Sequence, residues 1–272
     1  MLNEIVEKLA QLDQVRLIML GGSRSTGHHD KQSDIDLYVY CDEPISLQSR
    51  KEVLGNVFRY VEFANEFWEE EDDGILIDGI ELEIIYRPHS FIKEQYEKVF
   101  LRQEVTYGYS TCMIYNLLRS TILLDRKSDI EWVRNMIQIF PDELRRKIIL
   151  YNASLIYDRL PSLSFQLIKA IKRQDIVSVQ HRTTELVSLM FDVLFAANRM
   201  YHPGEKRLME SLERMGLIPD HFKEDLRQLM IIQSLSAEDA VFLVKTMGER
   251  MNAFIKLLIP EYMISNYIEN KF

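Results

Sequence analysis

Apolar residues recur at two different spacings along the chain, and the change between them predicts two structural regions. Strand patterns occur in the first half, whereas from about residue 142 the apolar positions follow the period of amphipathic helices. Pro141 marks the change between the two. The pattern therefore predicts an α+β fold, with a first domain of strands and helices over 1–140 and an all-helical bundle domain over 141–272.

The same spacing predicts the individual elements. Strands are expected at 15–20, 34–40, 80–86 and 122–125. Helices are expected at 2–12, 47–61, 91–101, 111–119, 129–140, 142–158, 162–173, 175–200, 204–215, 219–233 and 236–259. The stretch from Leu186 to Ala197 is apolar nearly all round, which predicts a helix that runs through the middle of the bundle.

The first strand ends abruptly at two glycines. Val15–Leu20 is almost continuously apolar, as in a strand buried on both faces, and Gly21 and Gly22 follow it directly. Because glycine has no side chain, a turn at these residues can bring its backbone amides close to an anion. Ser23 adds a hydroxyl donor beside them. This segment therefore predicts a phosphate-binding turn.

Two carboxylates follow on the next strand. Alternation puts Asp34 and Asp36 on one face together with Tyr38 and Tyr40, and the residues between them are apolar. Two like charges at neighbouring positions of one face repel each other, and a divalent cation removes that penalty. Mg²⁺ prefers carboxylate oxygens combined with substrate phosphates, so the pair predicts a magnesium site beside the phosphate-binding turn.

A third acid is expected if two metal ions, or one ion and a general base, act on one phosphoryl centre. Asp78 and Gly79 form a hairpin signal before the strand at 80–86, and alternation in that strand puts Glu81 and Glu83 on the same face. Spacing alone leaves both glutamates as candidates.

The order of these motifs resembles the polymerase-beta-type nucleotidyltransferase superfamily. Gly22, Ser23, Asp34 and Asp36 match its signature residue by residue, and Glu83 best matches its third acid. The helical second half is similar to that of the small two-domain aminoglycoside and lincosamide nucleotidyltransferase-like branch. The resemblance implies a mixed sheet flanked by helices, followed by the helical bundle.

The resemblance also implies an activity. Two Mg²⁺ ions would be held by Asp34, Asp36 and Glu83, which are also the expected catalytic residues. A nucleoside triphosphate would be bound by the turn residues, namely Gly21, Gly22, Ser23 and Arg24. A nucleoside monophosphate, AMP from ATP, would move to a hydroxyl of a small-molecule acceptor, with antibiotic-like acceptors included. A homodimer is an option, since enzymes of this branch often complete their cleft across two subunits.

The turn departs from the family pattern in one respect. The family often has Gly, Ser, any residue, Ala, Arg, Gly, whereas this chain has Ser25 and Thr26 where Ala and Arg are common. Whether Arg24 substitutes for the missing charge stays open.

The charge balance narrows the acceptor. The formal net charge is −9, and no dense run of Lys and Arg is present, which disfavours a nucleic-acid acceptor and favours a small one. Two alternatives stay open, namely nucleotidyl modification of a protein partner of the toxin–antitoxin kind and a non-catalytic nucleotide-binding module.

Three further polar segments have two interpretations each. A helix that begins near Gly204 would carry Lys206 and Arg207 in its first turn, where cations oppose the helix dipole. This conflict makes Lys206 a candidate nucleotide ligand. The alternative is that both residues are solvated in a loop. The acidic run 69–73 could be imagined as a calcium loop, but it lacks the alternating ligand spacing and is expected to be a solvated connection. His28 and His29 could touch a nucleotide but are expected to be exposed loop residues.

The remaining features indicate the compartment. Cys41 and Cys112 have no metal-binding or redox spacing, and the amphipathic pattern at 2–12 is unlike a secretory segment. Since no apolar run is long enough to span a membrane, the sequence predicts a cytoplasmic protein without a membrane partner.

Overall fold

A six-stranded mixed sheet organises the first half of the chain in the computed structural model, which describes residues 1–25, 33–66, 69–128 and 130–263. Its strands are β1 (Val15–Leu20), β2 (Ile35–Cys41), β3 (Phe58–Asn65), β4 (Glu71–Leu76), β5 (Glu81–Pro88) and β6 (Thr121–Asp125). The spatial order is β3-β4-β5-β2-β1-β6. β2 and β5 run parallel, and the other neighbours are antiparallel. The predicted α+β class with a mixed sheet is confirmed.

Helices accompany the sheet along the chain. They are α1 (Leu2–Leu9), α2 (Gly22–Ser25), α3 (Leu47–Leu54), α4 (Ser90–Tyr96, continued by a π-helical turn Glu97–Leu101), α5 (Cys112–Arg119) and α6 (Ile130–Met136). Apolar residues of α1 and α3 pack against one face of the sheet, so that Leu9 and Leu54 join Leu37 of β2 and Ile84 of β5 in a buried core. The opposite face of β2 carries Asp36.

A buried ion pair crosses this core. Arg50 of α3 donates through Nη1 to Asp72 Oδ1 at 3.2 Å, and the two residues are 2% and 0% exposed. Asp72 also accepts from the Tyr86 hydroxyl at 2.9 Å and from the Ala64 amide at 2.9 Å. Because every one of these donors is fixed to a different element, the carboxylate links α3, β3, β4 and β5.

The second half is helical. Its helices are α7 (Asp142–Ala153, continued by a π-helical turn Ser154–Asp158), α8 (Leu163–Lys172), α9 (Ile176–Ala197), α10 (Leu208–Leu212), α11 (Phe222–Met230, followed by a 3₁₀ turn Ile232–Ser234) and α12 (Ala237–Leu258). The C-terminal part of α9 is almost entirely buried, as the sequence predicts. Asp192 of this helix accepts hydrogen bonds from the Ser110 hydroxyl at 2.7 Å and from Asn152 Nδ2 at 3.0 Å.

The chain divides into two compact units. The first consists of Met1–Lys98 and Met113–Ile139, and the second consists of Val99–Cys112 and the chain from Phe140 onward. The second unit thus takes a short segment from within the first half of the sequence. The assignment of domains to 1–140 and 141–272 stays a prediction.

Two predicted helices are wrong in part. The helix expected over 47–61 ends at Leu54, where Gly55 follows, and the residues from Phe58 onward form β3. Apolar residues at 57, 58 and 61 fit a helical face, yet pairing with β4 decides their conformation. The helix expected over 204–215 is reduced to Leu208–Leu212.

Two further predictions concern the paired histidines after the glycine turn and the absence of membrane-spanning segments. His28 and His29 lie outside the described residues. Across the ranges that the structure does describe, every helix is too short or too polar to traverse a lipid bilayer.

Candidate active site

The turn after β1 is held tightly against β2. The Gly21 amide donates to the Asp36 carbonyl at 2.8 Å, which extends the β1–β2 pairing into the turn. Gly22 follows with φ +58°, and a Cβ at this position would stand 1.7 Å from Asp36 Oδ2. No side chain fits between the turn and that carboxylate. The glycine at position 22 is therefore required both by its backbone conformation and by the close approach of Asp36.

Gly21 has a similar steric reason. A Cβ on Gly21 would lie 2.5 Å from Cε2 of Tyr38, which is two residues beyond Asp36 on the same face of β2. The Arg87 guanidinium covers the Tyr38 ring at 4.8 Å and forms an ion pair with Glu69. The Tyr38 ring therefore packs between the Arg87 guanidinium and Gly21, where it supports the glycine turn.

Asp36 and Glu83 are direct partners across the parallel strands β2 and β5. Residues opposite each other in a sheet share a face, and neighbouring strands lie about 4.8 Å apart, so the two carboxylates are adjacent. Glu81 pairs with Ile75 of β4 and is exposed. Both glutamates were candidates on spacing alone, and this register favours Glu83.

The row of acids continues on β4, which the sequence analysis missed. Asp73 is the direct partner of Glu83 across the antiparallel β4–β5 pair, and Glu62 of β3 is the partner of Asp73. The expectation of a solvated connection at 69–73 is wrong, because Glu71 and Asp72 are buried and begin β4. Asn65 of β3 contacts this row, since its Nδ2 donates to Asp73 Oδ2 at 2.7 Å.

The acid row changes the ionisation of its members. Burial, with added repulsion first from Asp36 and then from Glu71, Asp73 and Asp34, raises the pKa of Glu83 to about 7. Burial and the neighbouring Asp73 also raise the pKa of Glu71. Glu71 is 4% exposed, and its Oε2 has no hydrogen-bond partner among the described residues. A carboxyl group with a pKa near neutrality can accept a proton at physiological pH, as general-base catalysis requires.

Arg24 points back to the backbone that precedes β2. Its Nε donates to the Asp34 carbonyl at 2.9 Å and to the Ser33 carbonyl at 3.1 Å, and its Nη2 donates to the Ser33 carbonyl at 2.6 Å. The predicted nucleotide ligand is thus engaged with protein atoms on the segment that carries Asp34.

Lys206 lies in the second compact unit, unlike the other predicted site residues. It is exposed in a turn before α10, and Arg207 has a left-handed conformation with φ +56°. Because the helix begins only at Leu208, neither cation stands in its first turn, and the predicted conflict with the helix dipole is wrong. The role of Lys206 as a nucleotide ligand stays a prediction.

The donor set fits a hard divalent cation. In the described part of the chain, no group of three or more His, Cys, Asp and Glu side chains is arranged to hold a metal ion by itself. Mg²⁺ does not require such a cage, because it is usually bound through one or two carboxylates together with substrate phosphates. Asp36 offers such oxygens next to the Gly22 turn, and Asp34, two residues earlier, adds negative charge near Glu83.

A cysteine–histidine pair in the second unit has no nucleophilic character. Cys112 Sγ lies 3.6 Å from His202 Nδ1, which also accepts from the Gly204 amide at 3.1 Å. Burial raises the pKa of Cys112 to about 12 and lowers the pKa of His202 to about 4. Both groups are therefore neutral at physiological pH, so this pair does not supply an activated thiolate.

Two family models match parts of the chain. Residues 2–107 match the nucleotidyltransferase domain family, and residues 109–208 match a domain of unknown function, DUF4037. The first match covers the glycine turn and all three predicted catalytic acids. None of the curated proteins compared with this chain matches it.

Several solved structures are similar to the chain at low identity. An aminoglycoside 6-adenyltransferase from Bacillus subtilis is 14% identical with a TM-score of 0.33, and the match covers 98% of this chain and 92% of that one. A nucleotidyltransferase-like protein from Exiguobacterium sibiricum is 11% identical with a TM-score of 0.46, covering 93% and 72%. A spectinomycin adenyltransferase from Enterococcus faecialis, solved with ATP and spectinomycin, is 14% identical with a TM-score of 0.28, covering 92% and 98%.

Proposed function

We propose that this protein transfers AMP from ATP to a hydroxyl of a small-molecule acceptor, with Mg²⁺ as the metal, since residues 2–107 match the nucleotidyltransferase domain family. The observation that carries the proposal is the pairing of Asp36 with Glu83 beside the Gly22 turn. It supports a phosphate-binding element, a metal-binding carboxylate and a proton acceptor together at the central strand pair of the sheet. The net charge of −9 supports a small-molecule acceptor rather than a nucleic acid.

Each residue has a distinct part in the proposed reaction. The amides of Gly21 and Gly22 and the hydroxyl of Ser23 bind the outer phosphates of the nucleotide. Asp34 and Asp36, with Glu83, hold one or two magnesium ions, which would neutralise phosphate charge and orient the α-phosphorus. Lys206 is a further proposed nucleotide ligand.

The proton of the reaction goes to Glu83. The acceptor oxygen forms a bond to the α-phosphorus, the bond from that phosphorus to the bridging oxygen breaks, and pyrophosphate leaves. Glu83 accepts the proton that the acceptor hydroxyl loses, a role supported by its place directly opposite Asp36 in the sheet. A non-catalytic nucleotide-binding module would have no need for this acid beside Asp36.

An acceptor screen tests the proposal. Pyrophosphate release is measured with magnesium and each nucleoside triphosphate for the wild-type protein, Asp36→Asn and the matched control Asp78→Asn, whose side chain lies exposed in the β4–β5 hairpin. We expect release by the wild type and by the control with at least one small acceptor, and a loss of at least about a hundredfold in Asp36→Asn. Nucleotide turnover that survives replacement of both Asp34 and Asp36 by Ala would overturn it.

A further inference from the structure

The guanidinium of Arg24 joins the glycine turn to the start of β2. Arg24 belongs to α2, which begins at Gly22, and its three hydrogen bonds reach the carbonyls of Ser33 and Asp34 at 2.6–3.1 Å. On the other side of the turn, the Gly21 amide donates to the Asp36 carbonyl. The turn and the two aspartates are therefore connected from both sides.

Asp34 depends on this connection more than Asp36 does. The pairing of β2 with β5 begins at Ile35 and Leu82, one residue after Asp34, so the backbone of Asp36 lies within the sheet and that of Asp34 precedes it. A hydrogen bond to the Asp34 carbonyl restrains the peptide plane that follows this residue, and so restrains the backbone from which its side chain extends. The planar, forked guanidinium can hold two adjacent carbonyls at once, which a lysine ammonium cannot do in the same way.

We propose that Arg24 is a positioning residue, which holds Asp34 in the orientation that divalent-cation binding requires and does not itself bind the nucleotide. The inference rests on the proposed function, because Asp34 is there a magnesium ligand. It assigns Arg24 a different role from the phosphate contact that its place in the turn suggests. Its Nε and Nη2 donate to the Ser33 and Asp34 carbonyls.

Binding measurements separate these two roles without using turnover. Mn²⁺ affinity is measured by electron paramagnetic resonance in the presence of a non-hydrolysable ATP analogue, and affinity for the same analogue is measured by calorimetry with a chelator present. The variants are Arg24→Ala, Arg24→Lys and the control Arg16→Ala, which removes an arginine of β1 that pairs with Asp42. Circular dichroism and thermal unfolding confirm that each variant is folded.

A positioning role predicts that both Arg24 variants bind Mn²⁺ about 10–100-fold more weakly, as for other residues that orient metal ligands, while nucleotide affinity without metal is unchanged. A phosphate contact predicts the opposite, because Arg24→Ala would then lose metal-free nucleotide affinity and Arg24→Lys would retain it. Unchanged Mn²⁺ affinity in both Arg24 variants would also overturn the inference. Failure of the wild type to bind the metal–nucleotide complex would contradict the proposed function instead. If Arg24→Ala does not fold, the Arg24→Lys result decides.

Discussion

Asp36 on β2 and Glu83 on β5 are direct partners in the parallel pair at the centre of the sheet, and Asp73 on β4 is the next residue in the same row. Three carboxylates thus stand side by side at about the spacing of neighbouring strands. Burial of Glu83, with added repulsion from the neighbouring carboxylates, raises its pKa to about 7. Such an arrangement is costly for folding unless charge is neutralised by protons or by a cation.

The ionisation of Glu83 should respond to its neighbours and to magnesium. In the metal-free protein we expect the Glu83 carboxyl to titrate near pH 7, and Asp73→Asn should lower this pKa because it removes a negative charge from the adjacent strand. Magnesium should lower it further, since a cation favours the ionised form. The measurement is ¹³C nuclear magnetic resonance of labelled glutamate carboxyls, with Glu83→Gln to assign the signal and Asp78→Asn as control. A Glu83 signal that titrates near pH 4.5 in the metal-free wild type would contradict this prediction.

Replacement of Glu83 should lower the activity of the protein and raise its stability. The folded-state pKa is raised above the ordinary value of 4.5, so between about pH 4.5 and 7 the folded state binds more protons than the unfolded state, and stability falls as the pH rises. Glu83→Gln removes this penalty. We expect its Tm to exceed that of the wild type by several degrees at pH 8 in a chelator and to match it at pH 4.

The control for this effect is Glu81→Gln, at an exposed position of the same strand. Its Tm should stay close to that of the wild type at both pH values. If Glu83→Gln and Glu81→Gln change the Tm equally at both pH values, the ionisation of Glu83 does not destabilise the fold.

Gly22 and Gly79 offer a matched pair of substitutions. Both have positive φ, +58° and +87°, but a Cβ at Gly22 would collide with Asp36, whereas a Cβ at Gly79 meets nothing within 4 Å. Each alanine variant should lose about 1 kcal/mol of stability from backbone strain. Only Gly22→Ala should also abolish pyrophosphate release and weaken Mn²⁺ binding, because it displaces the Asp36 carboxylate. Equal activity of the two variants would mean that the turn does not have to approach Asp36.

The buried pair of Arg50 and Asp72 should matter for folding rather than for chemistry. Asp72→Ala leaves the buried Arg50 with only the half-exposed Glu70 as its ion-pair partner and should cost about 3 kcal/mol of unfolding free energy. The double variant Arg50→Met with Asp72→Leu should cost less than Asp72→Ala, because no uncompensated charge remains. Urea unfolding measures both. A double variant that is less stable than Asp72→Ala would contradict this prediction. The ion pair would then stabilise the fold by more than the penalty of burying Arg50 without Asp72.

Local pattern was sufficient for much of the site. The alternation around Asp34 and Asp36, the glycines after β1 and the hairpin signal at Asp78 and Gly79 each act within a few residues, and the structure contains the corresponding strands and turns. The helices of the second half were likewise recognisable, since most of them are long and periodic.

Register was not predictable in the same way. A two-residue loop at Asp78 and Gly79 would put Gly74 opposite Glu83. The side chains of Asp73 and Glu83 would then lie on opposite faces of the sheet. The loop in the structure contains the three residues Ile77–Gly79, as the hydrogen bond from the Leu76 amide to the Ile80 carbonyl shows, so Asp73 stands there instead. A shift of one residue exchanges the two faces of a strand, and loop length depends on packing beyond the turn.

Long-range partners were also invisible in the sequence. The carbonyls that Arg24 contacts belong to residues nine and ten positions later, and the pairing of Arg50 with Asp72 joins elements 22 residues apart. The place of Arg24 in the turn therefore predicts a nucleotide ligand without showing its protein partners, and the charges at 69–73 predict a solvated connection where the structure has a buried strand.

Nucleotidyl transfer is tested most directly by following two labels of ATP in one experiment. Protein and magnesium are incubated with a cell extract and with ATP labelled at either the α- or the γ-phosphorus, beside the Asp34→Ala, Asp36→Ala double variant. We predict that the wild type moves the α-label to a small metabolite and releases the γ-label as pyrophosphate, while the double variant does neither. Transfer of the γ-label to an acceptor, an α-label confined to protein bands, or equal transfer by the double variant would contradict the proposed function.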